Sequence, residues 1–598
     1  MSFSCMSILS AATAPVETEP DEFEKISETL QVKADTENIF NKIHFYCNDE
    51  ENSTIDDMDE LVKATQKMQT LKLASENSDN SINEMKMTVQ FESDFLDSAK
   101  YKEFSKERKE LSTLDEVRDF RKRLNSYSNE YHNDLFEKSY PQLAFLEYNS
   151  IEQVRYSPFV TLNIDSKKIS TNKLVSLAEK NNIVSISISN LEERYNVDDT
   201  SFYTENQTRD GTSWAEMLKG INATEIVTSR TYTGEGVRVG IFEANGIFDR
   251  SNPNIRDVDI TIINSIYTID KHATDVTAVL TGIAPEAKYF FSSSTQTTGL
   301  SLFIDNYCDI INCSFGYGNL EYMSDDRLYD YQVVTHFITV VVSAGNVNSQ
   351  NNSVVTSPGY AYNVITVGGV KKRNTDGTSW EHDPNSCYVT TPTRVKPNIA
   401  AVMETTIPIL GGTGGTSIAA PQVAGCVALL MEYDPTYMAY PERVLSALMA
   451  TAQKPYGYAE NIGKFNDKVG AGVIDLQKLI DNHPYYSDVN INESGGYVVT
   501  QITVHLHVGD NIQAGLAWLA NVKTNVSSQP TDVLLTDYDL YIYSPSGGMK
   551  ISQLGHSNVE MIRGTATETG YYTIKIYQYG SCTNSSGDWI SLTYCITD

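Results

Sequence analysis

Between about residues 231 and 482, short apolar runs alternate with stretches in which apolar residues recur at helical spacing. The apolar runs are continuous, which is typical of strands buried in a parallel sheet with helices on both of its faces. An α/β fold is therefore predicted, and its functional site should lie where the parallel strands end. The clearest apolar runs are VRVGIF (237–242), DIINCSF (309–315), FITVVVSAGN (337–346) and NVITVGG (363–369).

The last part of the chain has a different pattern, in which apolar and polar residues alternate within short runs. Gly, Pro, Asn and Ser separate these runs, and no stretch of helical period lies between them. This pattern predicts an all-β sandwich of the jelly-roll kind over residues 486–598. Its runs are VVTQITVHLHV (498–508), AGLAWLA (514–520), DLYIYSP (539–545), YYTIKIYQY (571–579) and DWISLTY (588–594).

A smaller α/β unit is predicted ahead of the central sheet, within residues 98–200. FVTLNI (159–164) and IVSISI (183–188) have the pattern of strands, and Ser170 starts a short helix between them. The stretch from about 98 to 138 is helical, with a capping residue and early acidic side chains at one helix start. These boundaries leave residues 1–97 as an acidic, partly disordered region and residues 201–485 as the central domain.

Composition narrows the possible partners. The chain has 598 residues and a formal net charge of −31, which argues against nucleic acid or an anionic membrane surface as the main partner. No apolar run approaches the roughly 18 residues that span a bilayer, so no transmembrane segment is expected. Residues 12–14 (Ala-Thr-Ala) have the small-residue pattern of a signal-peptidase site, although an ordinary disordered end fits them equally.

The segment GTGGTSIAAPQVAGCVALLMEY (412–433) carries the clearest candidate chemistry. Small residues lead into a helical apolar stretch, which places Ser417 at the helix start, where free N–H groups stabilise a nearby anion. Pro421 is expected in the first turn, where its missing N–H costs nothing. The alternative is a Gly-rich turn in which Ser417 is an ordinary N-cap, although such a turn would not require so long a run of particular residues.

This string closely resembles the GTSxAAP motif at the nucleophile of the subtilisin-like serine proteases. Further blocks occur in the family's order, so that the resemblance covers roughly residues 210–480. The blocks that resemble family segments are VRVGIFEANGIFD (237–249), HATDV (272–276), TGIAPEAKYFF (281–291), DIINCSFG (309–316), VVVSAGN (340–346), SPGYAYNVITVGG (357–369) and VKPNIAA (395–401).

The resemblance implies a subtilisin-like fold and an endopeptidase that cleaves proteins or peptides through an acyl-enzyme. By position, Ser417 would be the nucleophile and His272 the general base. Asn346 and the backbone N–H of Ser417 would bind the oxyanion. The residues that would pair with an extended substrate by strand addition are Ser314, Phe315 and Gly316.

Two of the blocks depart from the family pattern. Glu243 stands where the family usually has Asp, and Asp249 is a rival carboxylate that matches no position of the triad. Glu243 is preferred because the triad chemistry also permits Glu. In the histidine block, Ala273 and Asp275 replace the family's Gly and second His, while His272 is kept. These changes keep a second hypothesis open, in which the chain is an inactive binding or regulatory module with the subtilase fold.

The resemblance also implies roles for the flanking units. Residues 98–200 would be the propeptide of a secreted or cell-surface zymogen that processes itself, assisting folding and blocking the cleft until cleavage between about 190 and 212. A permanent N-terminal domain is the alternative. The chemistry requires no cofactor, but many family members carry structural calcium. Asp537 and Asp539 form only an incomplete set of calcium ligands, and solvated carboxylates at a strand start are the alternative.

Overall fold

The fold is described from a computed structural model of the chain. No helix among the residues it describes is long and apolar enough to cross a membrane. The described residues are 42–46, 84–190, 212–265, 267–293, 299–317, 322–347, 353–374, 377–389, 394–407, 411–460, 464–481, 485–491, 497–524, 533–579 and 588–597. The signal-peptidase pattern at residues 12–14 and the predicted cleavage segment therefore lie outside them, as does most of residues 1–97.

The N-terminal unit is built around a five-stranded sheet of order β1-β5-β2-β4-β3, in which β1 runs parallel to β5 and the other pairs are antiparallel. Met85, Met87 and Val89 alternate along β2 and pack under α3 in the core of this sheet. The elements of the unit are β1 (Ile43–Tyr46), β2 (Glu84–Phe91), α1 (Ala99–Glu107), α2 (Leu114–Ser139), β3 (Ser150–Gln153), β4 (Phe159–Asp165), α3 (Thr171–Ala178) and β5 (Ile183–Asn190).

The unit does not follow the boundary that was predicted between residues 97 and 98, in two respects. The strands β1 and β2 lie within the region predicted to be acidic and partly disordered, yet they belong to the sheet. The helices α1 and α2 lie within the predicted small domain, yet their apolar side chains join the core of the central domain. The signal for β2 was present, because EMKMTVQF alternates strictly between polar and apolar residues.

The central domain has an eight-stranded sheet of order β12-β11-β10-β9-β6-β8-β7, with β13 added beside β11. All of its pairs are parallel except β11 with β12, which confirms the predicted α/β architecture. Its elements are α4 (Trp214–Gly220), α5 (Thr224–Ser229), β6 (Arg238–Glu243), β7 (Ile260–Ser265), α6 (Lys271–Ile283), β8 (Lys288–Ser293), α7 (Ser301–Asp305), β9 (Ile310–Cys313), α8 (Ser324–His336), β10 (Thr339–Ser343), β11 (Ile365–Lys372), β12 (Trp380–His382), β13 (Ile399–Val402), β14 (Glu404–Ile407), β15 (Gly411–Gly414), α9 (Thr416–Tyr433), α10 (Pro441–Thr451) and α11 (Leu476–Asp481).

The C-terminal unit is all-β, as predicted, with two four-stranded antiparallel sheets of order β16-β25-β18-β23 and β17-β24-β21-β22. Apolar side chains from the two sheets, Trp518 and Ile574 among them, meet in one core. Its strands are β16 (Tyr485–Ile491), β17 (Tyr497–Leu506), β18 (Asn511–Trp518), β19 (Asn521–Thr524), β20 (Val533–Leu534), β21 (Asp537–Tyr543), β22 (Met549–Ser552), β23 (Val559–Thr565), β24 (Gly570–Tyr579) and β25 (Asp588–Thr597).

Candidate active site

Three neighbouring strands of the central sheet end at the same edge. Phe242 of β6 and Val342 of β10 both lie opposite Cys313 of β9 in the parallel register. Adjacent strands in a sheet are about 4.8 Å apart. The residues that end or follow these strands, Glu243 and Ser314 among them, are therefore brought together as the alternating pattern predicted.

His272 is hydrogen-bonded to Glu243, with 2.7 Å between Nδ1 of the ring and Oε2 of the carboxylate. His272 is the second residue of α6, whose start is capped by Asp270 through a 2.8 Å hydrogen bond from the N–H of Ala273. A carboxylate can only accept, so Nδ1 carries the proton and Nε2 holds the lone pair of the neutral ring. Glu243 is fully buried and His272 is 8 % exposed, which strengthens this interaction over one in water.

The rival carboxylate lies elsewhere. Asp249 accepts hydrogen bonds from the N–H (2.9 Å) and the hydroxyl (2.7 Å) of Ser251, two residues ahead in the same turn. These two hydrogen bonds lower the pKa of Asp249. Of the two carboxylates that the sequence offered, the structure pairs Glu243 with the imidazole and leaves Asp249 in a local turn.

Ser417 is held by an arrangement that the sequence did not reveal. It is the second residue of α9, and Gly415 before the helix has φ +116°, which L side chains rarely adopt. Pro421 therefore lies inside the helix and not in its first turn as predicted, so it cannot donate to the Ser417 carbonyl four residues earlier. Ser314 takes over this role, because its hydroxyl donates to that carbonyl at 2.9 Å. The same hydroxyl accepts a 2.9 Å hydrogen bond from the side chain of Asn312 in β9.

The side chain of Asn346 is oriented by Thr416. Its Oδ1 accepts hydrogen bonds from the backbone N–H (2.9 Å) and the hydroxyl (3.2 Å) of Thr416. The Thr416 hydroxyl in turn accepts the N–H of Gly345 at 3.1 Å. With Oδ1 turned towards Thr416, the Nδ2 donors lie on the other side of the amide. Thr416 was not singled out from the sequence, and its place directly before Ser417 is the only signal that pointed to it.

The predicted substrate-binding segment runs directly after β9. The Phe315 side chain points into the core, where it meets Phe242 edge to face at 5.1 Å between ring centroids. Gly316 lies so close to a neighbouring segment that an added Cβ would be 2.1 Å from Oγ1 of Thr356. Tyr317 is bonded through its backbone to Ser357 in both directions, at 3.0 Å each. Pairing of residues 314–316 with a substrate remains a prediction.

Asp537 and Asp539 lie in β21 of the sandwich rather than among the residues described above. Asp539 accepts a 2.9 Å hydrogen bond from the side chain of Gln553, and burial raises its pKa to about 6. Within the described part of the chain, no group of three or more His, Cys, Asp or Glu side chains is placed to hold a metal ion. Calcium binding at Asp537 and Asp539 therefore stays a prediction.

The chain is similar to known proteins over its central domain. Residues 264–472 match the Peptidase_S8 model of the subtilase family, a range that includes His272, Asn346 and Ser417 but not Glu243. Subtilisin E and subtilisin NAT of Bacillus subtilis are each 27 % identical over 238 residues, which is 35 % of this chain and 59 % of theirs. The chain thus spans less than two thirds of the length of these relatives.

Solved structures show similarity of the same kind. The crystal structure of fervidolysin from Fervidobacterium pennivorans covers 82 % of this chain and 70 % of its own, at 15 % identity and a TM-score of 0.43. The patellamide maturation protease PatA covers 41 % of this chain and 96 % of its own, at 18 % identity and a TM-score of 0.32. The central domain of this chain thus matches the subtilase family over residues 264–472.

Proposed function

We propose that the protein is a serine endopeptidase that hydrolyses peptide bonds through an acyl-enzyme on Ser417. The observation that carries this proposal is the buried 2.7 Å hydrogen bond between His272 and Glu243 at the edge of the sheet where Ser417 is also held. A serine hydroxyl is a weak nucleophile, and a neutral imidazole with its lone pair on Nε2 is the base that activates it.

The reaction follows from these groups. Ser417 Oγ attacks the scissile carbonyl carbon while its proton passes to Nε2 of His272. The oxyanion that forms is bound by the Nδ2 donors of Asn346 and the backbone N–H of Ser417. His272 then gives the proton to the leaving amine, and the C–N bond breaks to leave an ester on Ser417. Water attacks this ester through the same base, and the carboxylic acid product leaves with Ser417 restored.

Glu243 would act through His272 and not on the substrate. Its carboxylate fixes the tautomer that leaves Nε2 free of a proton, and it stabilises the imidazolium that forms during the attack. Neither group has much access to water, so their electrostatic interaction is weakly screened. The hydrogen bond in place supports Glu as the triad carboxylate despite its additional methylene group.

We further propose that the enzyme is secreted or held at the cell surface and is made as a zymogen. The support is the small α/β unit ahead of the central domain together with the small-residue pattern at residues 12–14. Cleavage between about 190 and 212 would separate this unit from the central domain. No cofactor enters the chemistry, and any calcium would serve the structure alone.

The intact mass of the purified protein, with and without a fluorophosphonate probe, tests this function. We expect the wild type to lose an N-terminal segment and to gain the mass of one probe, and Ser417→Ala to do neither. Asp249→Asn is the matched control for Glu243→Gln, and we expect probe labelling to slow only in Glu243→Gln. A wild type that stays unlabelled, even after an added protease has removed its first 200 or so residues, would instead support the inactive binding module.

A further inference from the structure

The segment that joins β2 to β3 contains two helices that contribute to the core of the central domain. We call α1, the 3₁₀ turn Arg108–Glu110 and α2 the helix pair, which spans residues 99–139. Tyr101 and Phe120 of this pair are buried, and they pack against Phe337 at the end of α8 with ring centroids 5.7 and 6.3 Å away. The helix pair therefore packs as part of the central domain.

Arg108 is the most deeply anchored residue of the helix pair, with no exposed surface. Its guanidinium lies 2.9 Å from a carboxylate oxygen of Glu442 in α10, and it donates to the carbonyl of Ala439 at 2.9 Å. It also lies 4.0 and 4.3 Å from the ring centroids of Phe337 and Tyr440. A charge buried among these partners could not lose them without a large cost in free energy.

Two further arginines of α2 converge on Asp309, the residue before β9. Arg118 donates to Asp309 at 2.6 Å, and Arg121 donates to the same oxygen at 3.2 Å. Arg121 also donates to the carbonyls of His336 (3.1 Å) and Met438 (2.7 Å). Asp309 is fully buried, and its pKa is held below the usual range by the two guanidinium groups, against the opposing effect of burial.

The five-stranded sheet of the N-terminal unit is attached in a different way. Most of its apolar residues form a second core, although Phe159 of β4 belongs to the core that contains the helix pair and Phe136 of α2 packs against the second core. Two of its polar contacts with α8 are long, at 3.8 Å between Lys86 and Asp325 and 3.5 Å between Arg327 and Gln90. The loop between β3 and β4 adds closer contacts, since Arg155 pairs with Asp305 at 2.5 Å and its carbonyl accepts from the Gln332 side chain at 3.2 Å. The region ahead of the central domain is thus attached both by this loop and by the embedded helix pair.

We infer that the helix pair remains in the active enzyme after processing, so that the mature protein is a complex of two chains. This inference rests on the proposed self-processing, in which water cleaves a peptide bond between about residues 190 and 212. Loss of the helix pair would expose the apolar surface around Phe337 and remove both cations from Asp309. The N-terminal fragment would therefore act as a permanent subunit and not only as a propeptide that assists folding and blocks the cleft.

Native and denaturing mass spectrometry of the processed, probe-labelled wild type test this inference together. We expect a labelled catalytic chain that travels through size-exclusion chromatography with a fragment containing residues 99–139, in a 1:1 complex. The denaturing spectrum should then resolve the complex into two chains. A labelled chain that elutes alone and keeps its peptidase activity would overturn the inference.

The same question can be decided without activity. A recognition site for an added protease, placed within residues 191–211 of Ser417→Ala, gives a cleaved protein that never depends on self-processing. Absence of probe labelling in the wild type would defeat the proposed function alone. Departure of the N-terminal fragment from the cleaved Ser417→Ala protein would defeat this inference alone, and its retention would support it.

Matched arginine variants locate the attachment. In the cleaved Ser417→Ala protein, we expect Arg121→Ala to speed release of the fragment by at least about tenfold, because the buried Asp309 loses one of its two guanidinium partners and two buried carbonyls lose their donor. Arg123→Ala lies on the same helix with a half-exposed side chain paired to Glu107 and Asp119, and we expect it to change the release rate less than twofold or so. Equal rates for the two variants would contradict the proposed anchor.

Discussion

At the scale of single residues, the main surprise is how the helix that carries Ser417 is fixed. Pro421 has no N–H to donate to the Ser417 carbonyl four residues earlier, and the Ser314 hydroxyl donates to this carbonyl instead at 2.9 Å. The first turn of α9 is thereby tied to the end of β9, the strand beside Glu243. Ser314, expected to serve substrate binding through its backbone, is placed by its side chain to position Ser417.

Ser314→Ala tests this positioning role. We expect kcat to fall about three- to tenfold with little change in KM, because one buried hydrogen bond is lost while the substrate contacts stay. Steady-state kinetics on a peptide substrate measure both constants. Ser343→Ala is the matched control, since Ser343 ends the neighbouring strand β10 and its hydroxyl makes no hydrogen bond to the described residues. A change confined to KM in Ser314→Ala would argue for substrate contact instead.

The choice of triad carboxylate is also decided by a pair of variants. We expect Glu243→Gln to lower kcat about 10³–10⁴-fold, because the amide favours the wrong tautomer of His272. We expect Asp249→Asn to leave kcat within about twofold, since the Asp249 carboxylate accepts from Ser251 in its own turn. Rates of peptide hydrolysis at pH 8 compare the two. The reverse order of effects would move the triad role to Asp249.

At the scale of elements, the strands of the central sheet were predictable because each is a short apolar run. The run 237–242 corresponds to β6, and the run 337–346 contains β10. The embedding of α1 and α2 was not predictable, because amphipathic spacing shows that a face is buried but not which core it joins. The position at which α9 starts was not predicted correctly either. It depends on the positive φ of Gly415, which the spacing of apolar residues does not reveal.

Helix α2 also carries a buried histidine that should make stability depend on pH. His132 donates from Nδ1 to the carbonyl of Ser128 at 2.7 Å, and its Nε2 lies 2.8 Å from the hydroxyl of Tyr331. Burial lowers the pKa of His132 to about 3. His336 lies beside it, and burial, His132 and Arg121 together hold the pKa of His336 well below its usual range.

The sign of the effect follows from proton binding. Between about pH 6.5 and pH 3 the unfolded chain binds a proton on His132 while the folded chain does not, so stability falls as the pH falls through this range. The slope is at most about 1.4 kcal/mol per pH unit for one histidine. We expect the urea midpoint of the wild type to fall more steeply from pH 7 to pH 5 than that of His132→Gln. Parallel slopes for the two proteins would refute the assignment.

At the scale of the whole molecule, the sandwich is attached to the central domain by buried polar contacts. Arg563 of β23 donates to the carbonyls of Ala452 (2.8 Å) and Ala471 (2.5 Å) in the central domain. Asn363 and Ala520 exchange two hydrogen bonds, of 3.0 and 2.7 Å, between the two units. The alternating pattern predicted the sandwich but not this interface. The donors of the interface bond to backbone carbonyls, which every residue has and which therefore give no signal in the sequence.

Two glycines test how tightly this interface is packed. A Cβ on Gly515 of β18 would lie 2.7 Å from the carbonyl oxygen of Ser446 in α10, whereas a Cβ on Gly555 would meet nothing within 4 Å. We expect Gly515→Ala to destabilise the protein by about 1–3 kcal/mol, as overpacking does, and to lower Tm. Gly555→Ala should leave Tm unchanged within a degree or so. Calorimetry of both variants checks this, and an unchanged Tm in Gly515→Ala would show a loose interface.

The position of β25 bears on the order in which the nascent chain can complete its fold. This strand, at residues 588–597, lies in the middle of its sheet between β16 and β18, and its Thr593 hydroxyl contacts Ser446 of the central domain at 2.6 Å. A nascent chain in which β25 is still inside the ribosome has already exposed Ser417, His272 and Glu243, but it lacks the strand that completes the sheet packed on α10. The sheet that packs on α10 is therefore complete only once β25 has left the ribosome.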